Sequence, residues 1–305
     1  QTSGLSSKMI SNYVRESIKL TKNFLIDPLP KEIIKKRELP SLIFSIENIH
    51  FPTSNHNLMV SQNRLKYEEL FLFQLFLFLR RVKTKEKNGY KYEILPDYKE
   101  KFIKSLPFNL TDAQVKVIKE IEEDLMSGKV MNRLLHGEVG SGKTIVCAYA
   151  LYLCSLNKTQ GVMMSPTEIL AIQTYNILKK FLSPFNINVE LLTGSTKNKD
   201  EIKKRLLNGV IDVIVGTHAL IEEDIQFKNL TLAIVDEQHR FGVLQRASLV
   251  KKGEFPHTLV LSATPIPRTL ALTLYGDLDI SMIDELPPGR KPVKTIIFTN
   301  EEKER

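Results

Sequence analysis

The pattern of apolar and polar positions changes character near Pro107. Upstream, Ile10, Val14, Ile18 and Leu20 recur at roughly helical spacing. That spacing predicts an amphipathic helix over residues 7–24, ended by Pro28 and Pro30. Residues 30–48 suggest a further short helical stretch, and Phe51-Pro52-Thr53-Ser54-Asn55 reads as a turn. A long helix is expected from about Leu58 to Val82. Its run Leu70–Leu79 is the most apolar in the chain. The run covers about half the length of a membrane span and is flanked by Glu68-Glu69 and Arg80-Arg81. It is therefore expected to be a core helix buried on most sides. Lys83–Lys91 is polar and reads as a solvated loop and a candidate nucleic-acid contact.

Downstream of Pro107, short β-rich runs alternate with helical stretches. The predicted strands are Asn132–His136, Gly161–Met164, Asn188–Leu192, Asp212–Val215, Leu232–Val235 and Thr258–Leu261. Helical patterns fall at 112–126, Lys143–Ser155 and Glu168–Leu182. Such alternation predicts a parallel sheet covered on both faces. The expected fold class is α/β, preceded by a helical segment.

Composition changes this picture little: 42% hydrophobic and 26% charged residues suit a globular chain. The first residue is Gln1, and no signal-like segment follows, so an internal piece of a longer cytoplasmic protein is expected. Cys147 and Cys154 are seven apart on one predicted helix and are expected to be buried free thiols. Charge is more informative. The net charge is +8, and residues 1–106 carry 19 Lys/Arg against 11 Asp/Glu, whereas the remainder is balanced. A basic segment beside a neutral one suggests a polyanion partner there, although lysine-rich surfaces are also common.

The strongest motif is Gly137-Glu138-Val139-Gly140-Ser141-Gly142-Lys143-Thr144, a P-loop pattern between a predicted strand and helix. Its glycines let backbone N–H groups converge on phosphate oxygens, and the helix N-terminus adds positive potential. Lys143 is expected on the β/γ-phosphates and Thr144 on Mg²⁺. The second motif, Asp236-Glu237-Gln238-His239, follows the strand Leu232–Val235. Asp236 is expected to hold Mg²⁺ through water, Glu237 to orient and deprotonate the attacking water, and His239 to sense phosphate or bond to the next motif. Alone, this tetrapeptide is a weak signal; its position after a strand makes it specific.

Ser262-Ala263-Thr264-Pro265 follows the strand 258–261, and its hydroxyls are candidates to report nucleotide state. Alone it is equally an N-cap and turn. Three further elements follow strands: Ser165-Pro166-Thr167-Glu168, Leu192-Thr193-Gly194-Ser195, and Val215-Gly216-Thr217-His218. Together they describe a strip of hydroxyls and backbone amides suited to a phosphate backbone. Pro166, Thr167, Thr193, Gly194, Gly216, Thr217 and His218 are its candidate contacts. Upstream, Thr111 is a plausible N-cap, Gln114 a candidate adenine reader and Phe108 a candidate base-packing ring.

The order P-loop, P-T-E, T-G-S, G-T-H, D-E-x-H, S-A-T resembles the first motor domain of superfamily 2 helicases. Asp236–Arg246 and Ser262–Leu270 are similar to both the RecG family and transcription–repair coupling factors. Tyr275-Gly276-Asp277-Leu278-Asp279 and Asp284–Pro292 are similar to the RecG family and unlike the coupling factors, and Ile49–Pro52 and Arg64–Leu70 resemble the helical segment that the RecG family places before its motor. The resemblance covers nearly the whole chain. It implies a RecA-like ATP-binding domain over 107–290 after a helical brace at 1–106, with a connector beginning at 291–305. It also implies ATP and Mg²⁺ as cofactors, Ser262, Ala263, Thr264 and Arg268 as coupling residues, and translocation on branched duplex DNA by a bacterial, nucleoid-associated, monomeric enzyme. A single-stranded-DNA-binding protein is a further candidate partner. By the same resemblance, the family's wedge domain is expected to be absent from this sequence or present only at its trailing edge, and the second motor domain to be absent, so the isolated chain is expected to bind and hydrolyse nucleotide poorly. The alternative is a P-loop nucleotide-gated switch or kinase not acting on DNA; a kinase usually has an arginine-rich lid, and no such cluster follows the P-loop. A pure nucleic-acid-binding module would leave Lys143 and Glu237 idle.

Overall fold

A computed structural model describes residues 6–85, 87–236, 248–263 and 278–285. The chain divides by backbone contacts into two units, Gln1–Leu79 and Arg80–Arg305.

The first unit is helical, as expected. It holds α1 (Ser7–Thr21), α2 (Lys31–Lys36), α3 (Leu42–His50) and most of α4 (Asn55–Lys85). Ser6 and Ser41 cap α1 and α3, their hydroxyls accepting from Met9 and Phe44 backbone N–H groups. The centre is polar: Arg64 of α4 is fully buried and donates to Asp27 and Glu68, each at 2.6 Å, and to the Pro40 carbonyl at 3.2 Å. That one side chain ties α4 to the loops before α2 and α3.

The expectation for the apolar run of α4 is corrected. Of Leu70–Leu79 only Leu77 is buried, while Phe76 and Phe78 are 55% and 59% exposed. A run apolar on every side needs neighbours on every side. Among the described residues of α4, the buried positions are instead Ser61, Arg64 and Leu77.

The second unit is a seven-stranded, all-parallel sheet in the order β3-β4-β2-β5-β6-β1-β7. The strands are β1 (Asn132–Gly137), β2 (Gln160–Met164), β3 (Val189–Leu192), β4 (Val213–Gly216), β5 (Leu230–Val235), β6 (His257–Ser262) and β7 (Asp279–Ile283). Six match the predicted strands; β7 is new. The helices α5 (Pro96–Lys104), α6 (Asp112–Met126), α7 (Lys143–Leu156), α8 (Glu168–Leu182) and α9 (Lys199–Leu207) accompany it. Strands β2, β5 and β6 are buried at every position, the pattern of a sheet covered on both faces. Helix α7 is buried without a break from Ile145 to Cys154, so both free cysteines lie in the core.

Because all strands run the same way, their C-terminal ends share one edge, where ligands bind in open α/β sheets. The predicted motifs follow β1, β2, β3, β4, β5 and β6 along that edge.

Part of the predicted solvated loop 83–91 is built into this unit. Gly89 N–H donates to the Gly128 carbonyl at 3.0 Å, Val130 N–H to Lys87 at 3.2 Å and Tyr92 N–H to Leu125 at 3.0 Å. Asn157 clasps the Glu93 backbone from both sides at 2.8 and 3.2 Å. These bonds tie residues 87–93 into the second unit, Arg80–Arg305.

Candidate functional site

The P-loop takes the conformation its glycines permit. Gly140 and Gly142 sit at φ +80° and +88°, a region that costs any other residue steric strain. A Cβ on Gly142 would also meet Gln114 Nε2 at 2.2 Å. Val139 at the loop's tip is exposed, while Ser141 is buried with no partner for its hydroxyl. Lys143 begins α7 and folds its ammonium back over the loop, donating to the Gly137 and Glu138 carbonyls at 2.7 and 3.0 Å.

Asp236 lies at the end of β5, its N–H donating to the Met164 carbonyl at 2.9 Å. Cys147, one turn into α7, has its thiol pushed well above the usual range. Burial is the main cause, the Asp236 charge adds to it, and Lys143 opposes it. Both charges therefore act on the first turns of α7. Glu237, Gln238 and His239 lie outside the described residues, as do Thr264 and Arg268 and the residues beyond Glu285. Ser262 ends β6 and Ala263 follows it; Ala263 lines a hollow of about 220 Å³ with Gly137, Glu138, Ser141 and Asp284.

Upstream of the P-loop, Thr111 and Gln114 form a reciprocal cap on α6. The Thr111 hydroxyl accepts from Gln114 N–H at 3.2 Å, and Gln114 Oε1 accepts from Thr111 N–H at 3.0 Å. The other end of the same amide donates to the Ser141 carbonyl at 2.8 Å. Both ends of Gln114 thus hold backbone, and the residue is 2% exposed. Phe108 is half exposed, edge-on to Phe181. Arg133 of β1 holds α6 in place through Asp124 at 2.7 Å and Glu120 at 3.0 Å, and reaches Ser281 of β7 at 2.7 Å.

Along the strip, Thr167 caps α8, accepting from Leu170 N–H at 3.3 Å. Thr167, Gly194 and His218 are exposed and Pro166 is half-buried, but Thr193, Gly216 and Thr217 lie beneath the surface. Gly216 is packed against backbone: a Cβ there would meet the Leu192 carbonyl at 2.0 Å. Thr193 donates to Glu168 Oε1 at 2.7 Å, and Ser195 donates to the same oxygen. Those two hydroxyls, Ser195 first, hold the Glu168 carboxyl below its usual range.

Sequence reasoning missed two features here. Glu168 appeared only as part of a helix start, and its partners lie after another strand. Glu285, just past β7, accepts from Ala113 N–H at 3.1 Å and so caps α6. A larger hollow of about 690 Å³ opens at the opposite sheet edge, near Gly89, Leu230 and Phe255, and holds none of the motif residues.

The sequence over 111–273 matches the family model described as "DEAD/DEAH box helicase". The chain belongs to the DEAD/DEAH box helicase family. Within it, the chain is similar to the ATP-dependent DNA helicase RecG of Thermotoga maritima, at 48% identity over 97% of this chain and 38% of that protein. It is similar to the same-named protein of Synechocystis sp. at 47% over 92% and 34%, and of Bacillus subtilis at 44% over 94% and 43%. A solved structure of RecG bound to a three-way DNA junction matches with a TM-score of 0.77 and 46% identity, over 96% of this chain and 40% of that one. The chain thus spans about two-fifths of the length of these relatives. The RecA-like parallel fold expected from the sequence is the fold observed. Among the described residues no helix is long and apolar enough to cross a membrane.

Proposed function

We propose that this chain is the ATP-gripping lobe of a DNA helicase or translocase that remodels branched DNA, such as stalled forks and Holliday junctions, in recombination and repair. The observation that carries the reading is the 46% identity, across nearly the whole chain, to a helicase solved on a three-way junction.

The residues fit the nucleotide. The P-loop offers a helix N-terminus, the Lys143 ammonium and the unpartnered Ser141 hydroxyl. Lys143 would leave its two carbonyls for the β/γ-phosphates. Thr144 and Asp236 are one hydroxyl and one carboxylate, a donor set that suits Mg²⁺, which keeps several waters and takes substrate phosphates. The bound cation would neutralise developing charge on the transferred phosphoryl group. Among this chain's residues, Asp236 orients the cation's waters, and Glu237 holds the attacking water and takes its proton. Ser262, Ala263, Thr264 and Arg268 carry nucleotide state toward a second lobe. The exposed residues Thr167, Gly194 and His218 face a DNA backbone. Gln114 supports the P-loop by its grip on Ser141, and Phe108 packs near the base.

The basic excess of residues 1–106 adds a sequence-independent contribution to DNA binding. The expected setting is the bacterial cytoplasm at the nucleoid, as a monomer, with a single-stranded-DNA-binding protein as partner. The test is ATPase activity of the natural protein carrying this chain, with and without forked DNA. Glu237→Gln should abolish the DNA-stimulated rate while leaving nucleotide binding intact. Unchanged turnover in that variant would remove Glu237 from its role, and no stimulation of the wild type by forked DNA would overturn the reading.

A further inference from the structure

Among the described residues three buried side-chain hydroxyls have no hydrogen-bond partner: Ser61, Ser141 and Ser165. Buried hydroxyls are nearly always satisfied, and an unsatisfied one costs free energy. Ser141 belongs to the P-loop. Ser165 belongs to no assigned function, yet it is fully buried at the same sheet edge.

Its neighbours follow from the ladder. Strand β2 pairs with β5 through Met163↔Ile234 and Met164↔Val235, and with β4 through Met164↔Gly216. The next bonds continue both ladders: Asp236 N–H donates to Met164, and Ser165 N–H donates to Gly216 at 2.8 Å. Ser165 therefore stands directly between Asp236 on one side and Thr217 on the other, each about one strand spacing (~4.8 Å) away. The face is also fixed. Two residues earlier on the three strands, Met163, Ile234 and Val215 all belong to the core that contains α7. By the two-residue period of strands, Ser165, Asp236 and Thr217 face the same layer, the one from which Lys143 and the P-loop rise.

We infer that Ser165 is a positioning residue of the nucleotide site: its hydroxyl, without a partner in this structure, donates to the Asp236 carboxylate once nucleotide and cation bind, and so fixes which carboxylate oxygen faces the cation. This rests on the nucleotide-site reading above. A carboxylate that must present one oxygen to a metal-bound water gains from a neutral donor on its other oxygen, and such outer partners set the affinity of the ion they do not touch. Serine suits this position because it is short, uncharged and able to accept from Thr217 while donating to Asp236. Alanine would fill the same space without the bond.

The experiment uses the natural protein with Mn²⁺ as a paramagnetic probe and ADP as nucleotide. Ser165→Ala should weaken Mn²⁺ binding to the ADP complex about tenfold, measured by electron paramagnetic resonance. Its melting temperature without nucleotide or cation should stay level or rise, because in that state the variant removes a buried hydroxyl with no partner. Ser165→Thr should restore Mn²⁺ affinity. Unchanged Mn²⁺ affinity in Ser165→Ala would overturn the inference. So would a lower melting temperature with weakened affinity that threonine does not rescue, since that marks a packing role. Lys143→Ala is the separate control. If it abolishes ADP binding while Ser165→Ala changes nothing, the nucleotide-site reading stands and the Ser165 role falls. If Lys143→Ala leaves ADP binding intact, the nucleotide-site reading itself fails.

Discussion

Gln114 donates from Nε2 to the Ser141 carbonyl at 2.8 Å, joining the start of α6 to the P-loop. The same side chain closes the cap on α6 through Thr111. One amide thus holds a helix start and a phosphate-binding loop in fixed relation. Gln114→Ala should cost about 1–2 kcal/mol of stability through the lost buried bonds and raise the KM for ATP more than it lowers kcat. Gln114→Glu should be worse, because a carboxylate oxygen would then face the Ser141 carbonyl. Denaturant melts and ATPase kinetics on the two variants check both statements.

The adjoining Gly142 tests the same contact from the other side. At φ +88°, with a hypothetical Cβ 2.2 Å from Gln114 Nε2, alanine meets both backbone strain and a collision. Gly142→Ala should cost at least ~1–2 kcal/mol and abolish binding of a fluorescent ATP analogue. Combining it with Gln114→Ala should recover part of the stability, because the collision is relieved, but not the binding.

The strands carrying the motifs were legible because each is a short apolar run closed by small or polar residues, as in Leu232–Val235 before Asp236. Strand β7 was not. Among the described residues it is an edge strand paired only with β1; it begins at Asp279 and buries only Ser281 and Ile283, so it lacks the continuous apolar signature. The segment around Gly89 and Tyr92 reads as a loop because its bonds go to Gly128, Leu125 and Asn157, partners that no local pattern announces. The run Leu70–Leu79 misled in the opposite sense: apolarity predicts burial only where enough chain surrounds the helix. At the site, residue types were readable but depth was not. Thr193, Gly216 and Thr217 look like exposed ligands in sequence, yet they lie under the surface, and the Glu168–Thr193 bond needed the order of strands in space.

That bond gives a prediction about DNA rather than nucleotide. Glu168 collects the Thr193 and Ser195 hydroxyls and so fixes the loop after β3 against the start of α8. Glu168→Ala should free the loop, weaken binding to forked DNA several-fold and leave ADP affinity unchanged. Glu168→Gln keeps an acceptor oxygen and should be milder. Fluorescence anisotropy with labelled forks measures both. Equal DNA affinity in all three proteins would show that the loop's position does not matter for binding.

In the helical unit, Arg64 meets two carboxylates and a carbonyl with its side chain wholly buried. Removing one partner of such a cluster is far costlier than replacing the whole of it. Arg64→Ala should destabilise this unit by ~3–5 kcal/mol. Arg64→Met, which refills the space, should cost less when Asp27→Asn accompanies it. Circular dichroism melts of the single and double variants give the comparison.

His257 sets a pH dependence on the other unit. It is fully buried at the start of β6; Nδ1 accepts from Met131 N–H at 3.0 Å, so Nε2 carries the proton and donates to the Tyr90 carbonyl at 2.7 Å. Burial is the main cause holding its pKa below 6.5; the Tyr90 bond and the Asp124 charge only partly oppose it. The folded state therefore binds fewer protons than the unfolded chain as pH falls through 6.5. The stability contributed by neutral His257 is present above that pH and lost below it. Protonation would also turn a second N–H toward Met131 N–H, opening the joint between β6, β1 and the segment at Tyr90. Urea unfolding followed from pH 8 to pH 5.5 should show stability falling through the lower half of that range. His257→Gln should be less stable at pH 8 and should flatten the slope. A wild-type slope that survives the substitution unchanged would assign the pH dependence to other groups.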